Sequence, residues 1–235
     1  MSDAGKLGFF SRTVSEAEGK LLDLAGRTGA RVRQVRHPLP GPDGDPLHLS
    51  LVAVGEPSAA KALVIYSGVH GVEGFAGSAL QLALLDEVAR GERALGEMVL
   101  ILVHLVNPWG AAWNRREDHE NVDVFRNLIY WDRPVAPHPL FDLVDDGFHW
   151  EEWRTQDPED VRRRLDALAA EHGFDHLLEA IRRGQHHRPK AMGYHGQGRC
   201  WSTAVLEREL PPLLDGARRI GVIDVHTGFG PPGFG

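Results

Sequence analysis

Two nearly continuous apolar runs constrain the fold of this chain more than any other feature of its sequence. Residues 61–68 read KALVIYSG and residues 98–106 read MVLILVHLV, and the segment 76–90 between them has its apolar residues at helical spacing. Strands that are apolar on both faces are typical of parallel sheets with helices on both sides. The order strand, helix, strand therefore predicts a parallel βαβ unit.

Weaker patterns on either side predict further elements. Ser15 and Glu18 have the spacing of a capping box and predict a first helix over about 15–27. Residues 31–35 and 47–54 predict two strands of an antiparallel edge. We also predict helices at 158–172 and 175–183, a last strand at 219–225, and a long irregular segment between 107 and about 157.

Together these elements predict an α/β fold of three layers, α/β/α, around a mixed and mostly parallel sheet. Because the sequence shows neither an internal repeat nor a linker, we predict a single domain over residues 1–235. His104 lies within the second apolar run and is interpreted as a core histidine rather than a ligand.

Composition excludes several classes of protein. The chain of 235 residues has 26 Lys and Arg against 33 Asp and Glu, a net charge of −7, which argues against binding to nucleic acid. One cysteine, Cys200, allows no intrachain disulfide and no cysteine-rich zinc site, and it favours a reducing compartment. Since no secretory leader pattern and no apolar run of membrane-spanning length is found, we expect a cytoplasmic protein with no membrane partner.

Chemically unusual residues follow three of the predicted strands, at 67–74, 107–110 and 224–228. In open α/β sheets, sites form beyond the carboxyl ends of the strands, so these loops are expected to converge. His70 and Glu73 are three residues apart on a turn, and His226 follows a neighbouring strand. Two histidines and one carboxylate with an open fourth position are typical of a catalytic zinc site. Taken alone, the His-x-x-Glu spacing arises often by chance.

These motifs, taken in order, resemble the zinc carboxypeptidase superfamily. The resemblance is carried by SGVHGVEGFAGS at 67–78, NPWG at 107–110, Arg115-Arg116 before NVD at 121–123, and DVHTG at 224–228. The branch that the sequence resembles most is a poorly characterised bacterial group near the succinylglutamate desuccinylases and aspartoacylases. Four ordered motifs are far more specific than any one of them.

The resemblance implies a role for each matching residue. It implies zinc ligands at His70, Glu73 and His226, with Zn²⁺ as the cofactor, and a carboxylate at Asp123 that orients the first zinc histidine from outside the ligand shell. For Asp123 the alternative is a loop carboxylate that caps a turn. It also implies that Arg116 polarises the scissile carbonyl and stabilises the oxyanion, and Arg115 is a close alternative.

A further match concerns recognition of the substrate. Arg126 corresponds to an arginine that holds a substrate carboxylate through two parallel hydrogen bonds. The residue before it is usually asparagine in the family and is Phe125 here, which weakens the case for a carboxylate as the recognised group. For each arginine, a solvated surface charge is the alternative.

One element of the family's mechanism is not found in the sequence. In the enzymes that the chain resembles, the general base is a glutamate on a strand after the third zinc ligand, and residues 228–235 contain no acidic residue. We therefore expect the family domain to be incomplete at its C-terminus, with an unpaired strand edge and a need for a complementing C-terminal segment.

Three functions remain open from the sequence. The first is a zinc-dependent hydrolase of peptide bonds, and the second is a deacylase of N-acyl amino acids, so that the expected partners are peptides or acylated amino acids. The third is a zinc-binding pseudoenzyme or interaction module. The intact zinc and arginine motifs favour the first two, whereas Phe125 and the missing glutamate favour the third.

Overall fold

The structure is a computed structural model that describes residues 8–133, 136–148 and 154–227. The chain divides into two compact units, one of residues 1–119 with 201–235 and the other of residues 120–200. The first unit contains the sheet, and the second contains loops and helices.

The first unit is built on a five-stranded mixed sheet in the order β1-β2-β4-β3-β5. Two neighbouring pairs are antiparallel, β1 with β2 and β2 with β4, and two are parallel, β3 with β4 and β3 with β5. The predicted α/β class, the parallel βαβ unit and the antiparallel edge are confirmed. The strands are β1 Arg31–Arg36, β2 His48–Val54, β3 Lys61–Ser67, β4 Met98–His104 and β5 Arg219–Val225.

Eight helices accompany these strands in the described part of the chain. In the first unit they are α1 Val14–Thr28, α2 Gly74–Ala89, α3 Pro108–Ala112 and α8 Trp201–Glu209, with short 3-10 turns at Gly71–Glu73 and Pro211–Leu213. In the second unit they are α4 Val124–Asn127, α5 Phe141–Phe148, α6 Pro158–His172 and α7 Phe174–Arg183. The segment predicted as irregular therefore contains α3, α4 and α5.

One face of the sheet is covered by α1 and α2. Burial of each leucine side chain there stabilises the fold by about 1.5 to 3 kcal/mol. Glu18 of α1 accepts a hydrogen bond from the side-chain amide of Gln34 on the same face. The buried residues of this layer are Leu21, Leu24, Ala25, Val52, Val54, Ile65, Leu82, Leu85, Leu100 and Leu102.

The opposite face of the sheet carries Arg33, which lies opposite Leu51 in the β1–β2 register and forms an ion pair with Glu209 at the end of α8. Leu51 is buried, and so is Leu206 of α8. The mixed sheet accompanied by helices confirms the predicted α/β class.

The first helix is capped two residues before the predicted cap at Ser15. Its N-cap is Thr13, whose hydroxyl accepts a hydrogen bond from the backbone N–H of Glu16. Thr13 and Glu16 have the same spacing as Ser15 and Glu18, so both pairs satisfy the pattern. Ser15 instead donates to a carboxylate oxygen of Asp45. The predicted cap at Ser15 is wrong, because the two overlapping motifs cannot be told apart without the tertiary contacts.

The second unit has a small apolar cluster of its own. Val144 of α5 packs against Leu177 and Ala180 of α7, and Leu168 of α6 contacts the same cluster. The following loop is fixed by Asn127, whose side chain binds the backbone of residues 195, 198 and 200. This unit therefore has its own buried contacts.

Strand β5 lies at one edge of the sheet, and within the described ranges no other strand pairs with its outer side. Three of its apolar side chains are about half exposed: Ile220 at 49%, Val222 at 58% and Ile223 at 48%. Exposed apolar edge strands readily pair with a further strand. Among the described helices, none combines the length and apolar character that crossing a bilayer requires.

Candidate metal centre

The candidate site lies where the parallel strands β3 and β5 end side by side. In their register, Ser67 at the end of β3 lies opposite Val225 at the end of β5. The loop after β4 joins the same edge, because Val106 and Asn107 donate backbone hydrogen bonds to the carbonyls of Ser67 and Gly68. Residues just beyond these strand ends are therefore brought together.

The 3-10 turn Gly71–Glu73 carries the first two candidate ligands. His70 is the residue before the turn and Glu73 is its last residue. Gly71 approaches α3 so closely that a Cβ atom there would lie 2.1 Å from the carbonyl carbon of Gly110. Only glycine allows this contact, and it fixes the turn against the loop that follows β4.

Three side chains converge at this point. The Nδ1 atom of His70 lies 3.1 Å from Oε1 of Glu73, and Nδ1 of His226 lies 3.8 Å from Oε2 of the same carboxylate. The two imidazole rings are edge to face, with centroids 4.9 Å apart. One ligand atom from each of the three residues lies within 4.8 Å of the other two.

The charges of the three groups are coupled. Burial raises the pKa of Glu73, but the hydrogen bonds from Thr227 and the charges of His70 and His226 together outweigh it, so that the pKa is lowered. The pKa of His226 is raised, first by its hydrogen bond to Asp224, although burial and the charge of Arg116 act against this. The carboxylate is therefore ionised at neutral pH.

This donor set fits a zinc ion. Zinc bonds of about 2.0 to 2.2 Å in a tetrahedron place the ligand atoms roughly 3.3 to 3.6 Å apart. The separations of 3.1 Å from Oε1 of Glu73 to His70 and 3.8 Å from Oε2 to His226 lie on either side of that range. Imidazole nitrogen and carboxylate oxygen are both ordinary zinc ligands, and three protein ligands leave one position for water or substrate.

Arg115 and Arg116 are attached to the same turn through their backbones. The N–H of Val72 donates to the carbonyl of Arg115, and the N–H of Gly71 donates to the carbonyl of Arg116. Of the two arginines, Arg116 is the one whose charge acts on the pKa of His226. Its guanidinium also contacts Glu117 at 3.1 Å. The choice between Arg115 and Arg116 as the oxyanion arginine stays a prediction.

Asp123 and Arg126 belong to the second unit, where they contact each other. Asp123 is fully buried, and its carboxylate caps α4 by accepting from the backbone N–H of Arg126 and also binds the Arg126 guanidinium. The Nε atom of Arg126 donates to the carbonyl of Arg182. The capping role considered for Asp123 from the sequence is therefore present, and its role toward a zinc histidine stays a prediction.

Two residues at the candidate centre were not identified from the sequence. Asp224 accepts from Nε2 of His226 at 2.7 Å, and Thr227 donates to Oε2 of Glu73 through both its N–H and its hydroxyl. The spacing Asp-x-His in an extended segment places both side chains on one face, which is a signal that could have pointed to Asp224. Residues 228–235, where the missing glutamate was considered, lie outside the described residues.

Fold and site define an α/β protein with a candidate His, Glu, His metal centre at the carboxyl edge of its sheet. A family profile, described as a protein of unknown function (DUF2817), matches residues 10–235, and the chain belongs to that family. No curated protein matches the sequence.

Similar solved structures include zinc exopeptidases and glutaminyl cyclases. Bovine thrombin-activatable fibrinolysis inhibitor, in complex with a tick carboxypeptidase inhibitor, is 18% identical over 56% of this chain and 45% of its own, with a TM-score of 0.37. A putative zinc-dependent exopeptidase from Bacteroides vulgatus is 12% identical over 94% and 83%, with a TM-score of 0.33. Glutaminyl cyclase from Porphyromonas gingivalis is 13% identical over 94% and 79%, with a TM-score of 0.32.

The similarity to thrombin-activatable fibrinolysis inhibitor covers only part of that protein, because this chain spans less than half of its length. With TM-scores between 0.32 and 0.37, the similarities carry no functional assignment.

Proposed function

We propose that this protein is a zinc-dependent hydrolase of peptide or N-acyl amide bonds, of the carboxypeptidase-like kind. The observation that carries the proposal is the convergence of ligand atoms from His70, Glu73 and His226 within 4.8 Å. Two imidazoles and a carboxylate with room for a fourth ligand are the donor set of catalytic rather than structural zinc sites. The ordered motifs around these residues support the same reading.

Different residues of the chain would bind the metal, stabilise the oxyanion and bind the substrate. His70, Glu73 and His226 would hold the metal, which when bound supplies a Lewis acid and an acidified water. Arg116, whose charge acts on His226, would donate to the carbonyl oxygen of the substrate as negative charge develops there. Arg115 is exposed beside it and would bind a substrate carboxylate. Arg126 is proposed for the same task from its motif.

N-acyl amino acids are included with peptides in the substrate class, because the motifs around the candidate ligands leave both open.

The proposal is tested by elemental analysis of the zinc-loaded protein. We expect about one zinc ion per chain, and a loss of zinc in His70→Ala, Glu73→Ala and His226→Ala. His172→Ala, which changes a histidine in the last turn of α6, is the matched control and should keep its zinc. Wild-type stoichiometry in all three ligand variants would show that the metal site lies elsewhere.

A further inference from the structure

We propose that Asp224 and Thr227 are positioning residues of the metal centre, Asp224 by fixing the ring of His226 and Thr227 by fixing the carboxylate of Glu73. The inference rests on the proposed function, because it concerns the same three ligands. It assigns a task to two side chains that do not touch the metal themselves.

Asp224 determines which ring nitrogen of His226 faces the centre. Its Oδ2 atom lies 2.7 Å from Nε2 of His226, whereas Nδ1 of the same ring faces Glu73 at 3.8 Å. An ionised carboxylate can accept a hydrogen bond but cannot donate one, so neutral His226 carries its proton on Nε2. The lone pair on Nδ1 is then directed toward the centre, as a metal ligand requires.

The surroundings of one oxygen of Asp224 support this role. Its Oδ1 atom is buried, and among the described residues it has no hydrogen-bond partner. A buried carboxylate oxygen without a partner costs free energy, because water no longer solvates it. In the described contacts the side chain is held by its other oxygen, through His226. The position of Asp224 therefore favours its contact with the ring of His226, although one of its oxygens loses solvation.

Thr227 determines how Glu73 is presented. The hydroxyl of Thr227 donates to Oε2 of Glu73 at 2.9 Å, and the backbone N–H of Thr227 donates to the same oxygen. The other oxygen, Oε1, faces His70 at 3.1 Å. With Oε2 engaged by two donors, the carboxylate plane is fixed and Oε1 is the oxygen with its lone pairs turned toward the first histidine.

These two contacts link the strand ends. Glu73 follows β3 and Thr227 follows β5, so the hydrogen bonds of Thr227 join the two ligand-bearing loops across the sheet edge. The segment 224–227 thus supplies one ligand and orients a second. Partners of this kind typically change metal affinity by about 10 to 100-fold when they are removed.

The experiment compares metal affinity and ring tautomer in matched variants. Zinc affinity is measured by competition with a chromogenic chelator in wild type, Asp224→Ala, Asp224→Asn, Thr227→Val and Thr227→Ser. The His226 tautomer is read from ring ¹⁵N shifts in the zinc-free protein at a pH where the ring is neutral. Asp215→Asn, at an exposed carboxylate of the same unit, is the control.

We expect Asp224→Ala to bind zinc about 10 to 100-fold more weakly and to lose the preference for the proton on Nε2. Asp224→Asn keeps an acceptor oxygen and should retain more affinity than the alanine variant. Thr227→Val should weaken zinc binding, while Thr227→Ser and the Asp215 control should match the wild type.

Failure of the proposed function and failure of this inference have different results. If wild type binds no zinc, the proposed function fails. The tautomer of His226, compared between zinc-free wild type and zinc-free Asp224→Ala, still decides whether Asp224 orients the ring. Wild-type affinity together with an unchanged tautomer in Asp224→Ala would overturn the role of Asp224. Wild-type affinity in Thr227→Val would overturn the role of Thr227. Circular dichroism identifies variants that do not fold, for which the Asn and Ser variants remain informative.

Discussion

The hydroxyl of Ser78 and Nε2 of His104 lie 2.8 Å apart in the core, where both side chains are buried. Burial lowers the pKa of His104 from 6.5 to about 3, since a charged imidazole would be desolvated there. The interpretation of His104 as a core histidine agrees with this environment. Its hydrogen bond to Ser78 satisfies a ring nitrogen that would otherwise be unpaired.

This pair predicts a pH dependence of stability. In the unfolded chain His104 binds a proton near pH 6.5, whereas in the folded chain it does so only near pH 3. The free energy of unfolding therefore has its full value above about pH 6.5, and the contribution of neutral His104 is lost as the pH falls toward 3. The slope contributed by one such group is at most about 1.4 kcal/mol per pH unit. Urea denaturation between pH 7 and pH 4 measures this slope.

The variant His104→Gln cannot titrate and should have a flatter dependence of stability on pH. Ser78→Ala should keep the slope at lower overall stability. An equally steep profile in His104→Gln would exclude His104 as the source.

A second prediction concerns the close contact between Gly71 and Gly110. In Gly71→Ala the added Cβ would lie 2.1 Å from the Gly110 carbonyl carbon, so the backbone of the turn must move. We expect a loss of about 1 to 3 kcal/mol in the free energy of unfolding, as for other overpacked sites. Because His70 precedes this residue and Glu73 ends the same turn, zinc affinity should fall as well. Gly19→Ala is the matched control: a Cβ there contacts nothing within 4 Å, and alanine favours the helix interior. Unchanged stability in Gly71→Ala would contradict the assigned contact.

A third prediction separates the two roles of Asp123. The family resemblance predicts that Asp123→Ala weakens zinc binding by about 10 to 100-fold. The cap that Asp123 provides to α4 predicts a loss of about 1 kcal/mol of stability in the same variant. Asp123→Asn keeps an oxygen for the cap but removes the charge that pairs with Arg126, so it should lose less stability than Asp123→Ala while binding zinc more weakly. Wild-type zinc affinity in both variants would leave Asp123 with the capping role alone.

The grouping of the three candidate ligands could be predicted because it depends on strand order. Apolar runs identified β3, β4 and β5, and parallel strands place their carboxyl ends at one edge, so His70 and His226 had to approach each other. The pairing of β2 with β4 could not be predicted, since hydrogen bonds between strands that are distant in sequence leave no local pattern.

Contacts around the candidate site were harder to predict than the ligands themselves. Asp123 could orient a histidine or cap a helix, and one sequence motif is compatible with both. Thr227 binds Glu73 across 154 positions of the chain, so only the folded structure reveals that contact. Residues that contact a ligand but not the metal are identified by side-chain directions, which the sequence does not give. The positions of the ligands themselves follow from the order of the strands in the sheet.

The last prediction concerns hydrolysis itself. A positioned general base typically contributes about 10² to 10⁴-fold to such a reaction, and residues 228–235 offer no acidic side chain for this task. Since the metal ligands supply no such base, we expect residues 1–235 to hydrolyse peptides and N-acyl amino acids about 10² to 10⁴-fold more slowly than a zinc hydrolase with a positioned base.

The test is a panel assay of the zinc-loaded chain on peptides and N-acyl amino acids, with Glu73→Ala as the variant that lacks a candidate ligand. Weak turnover that is lost in Glu73→Ala is the expected result, because the metal would act without a positioned base. Turnover at about 1 to 10³ per second, abolished by Glu73→Ala, would show that another residue of this chain serves as the base. Zinc binding with no turnover on any substrate of the panel would instead favour the pseudoenzyme, because the metal site would then be intact while hydrolysis is absent.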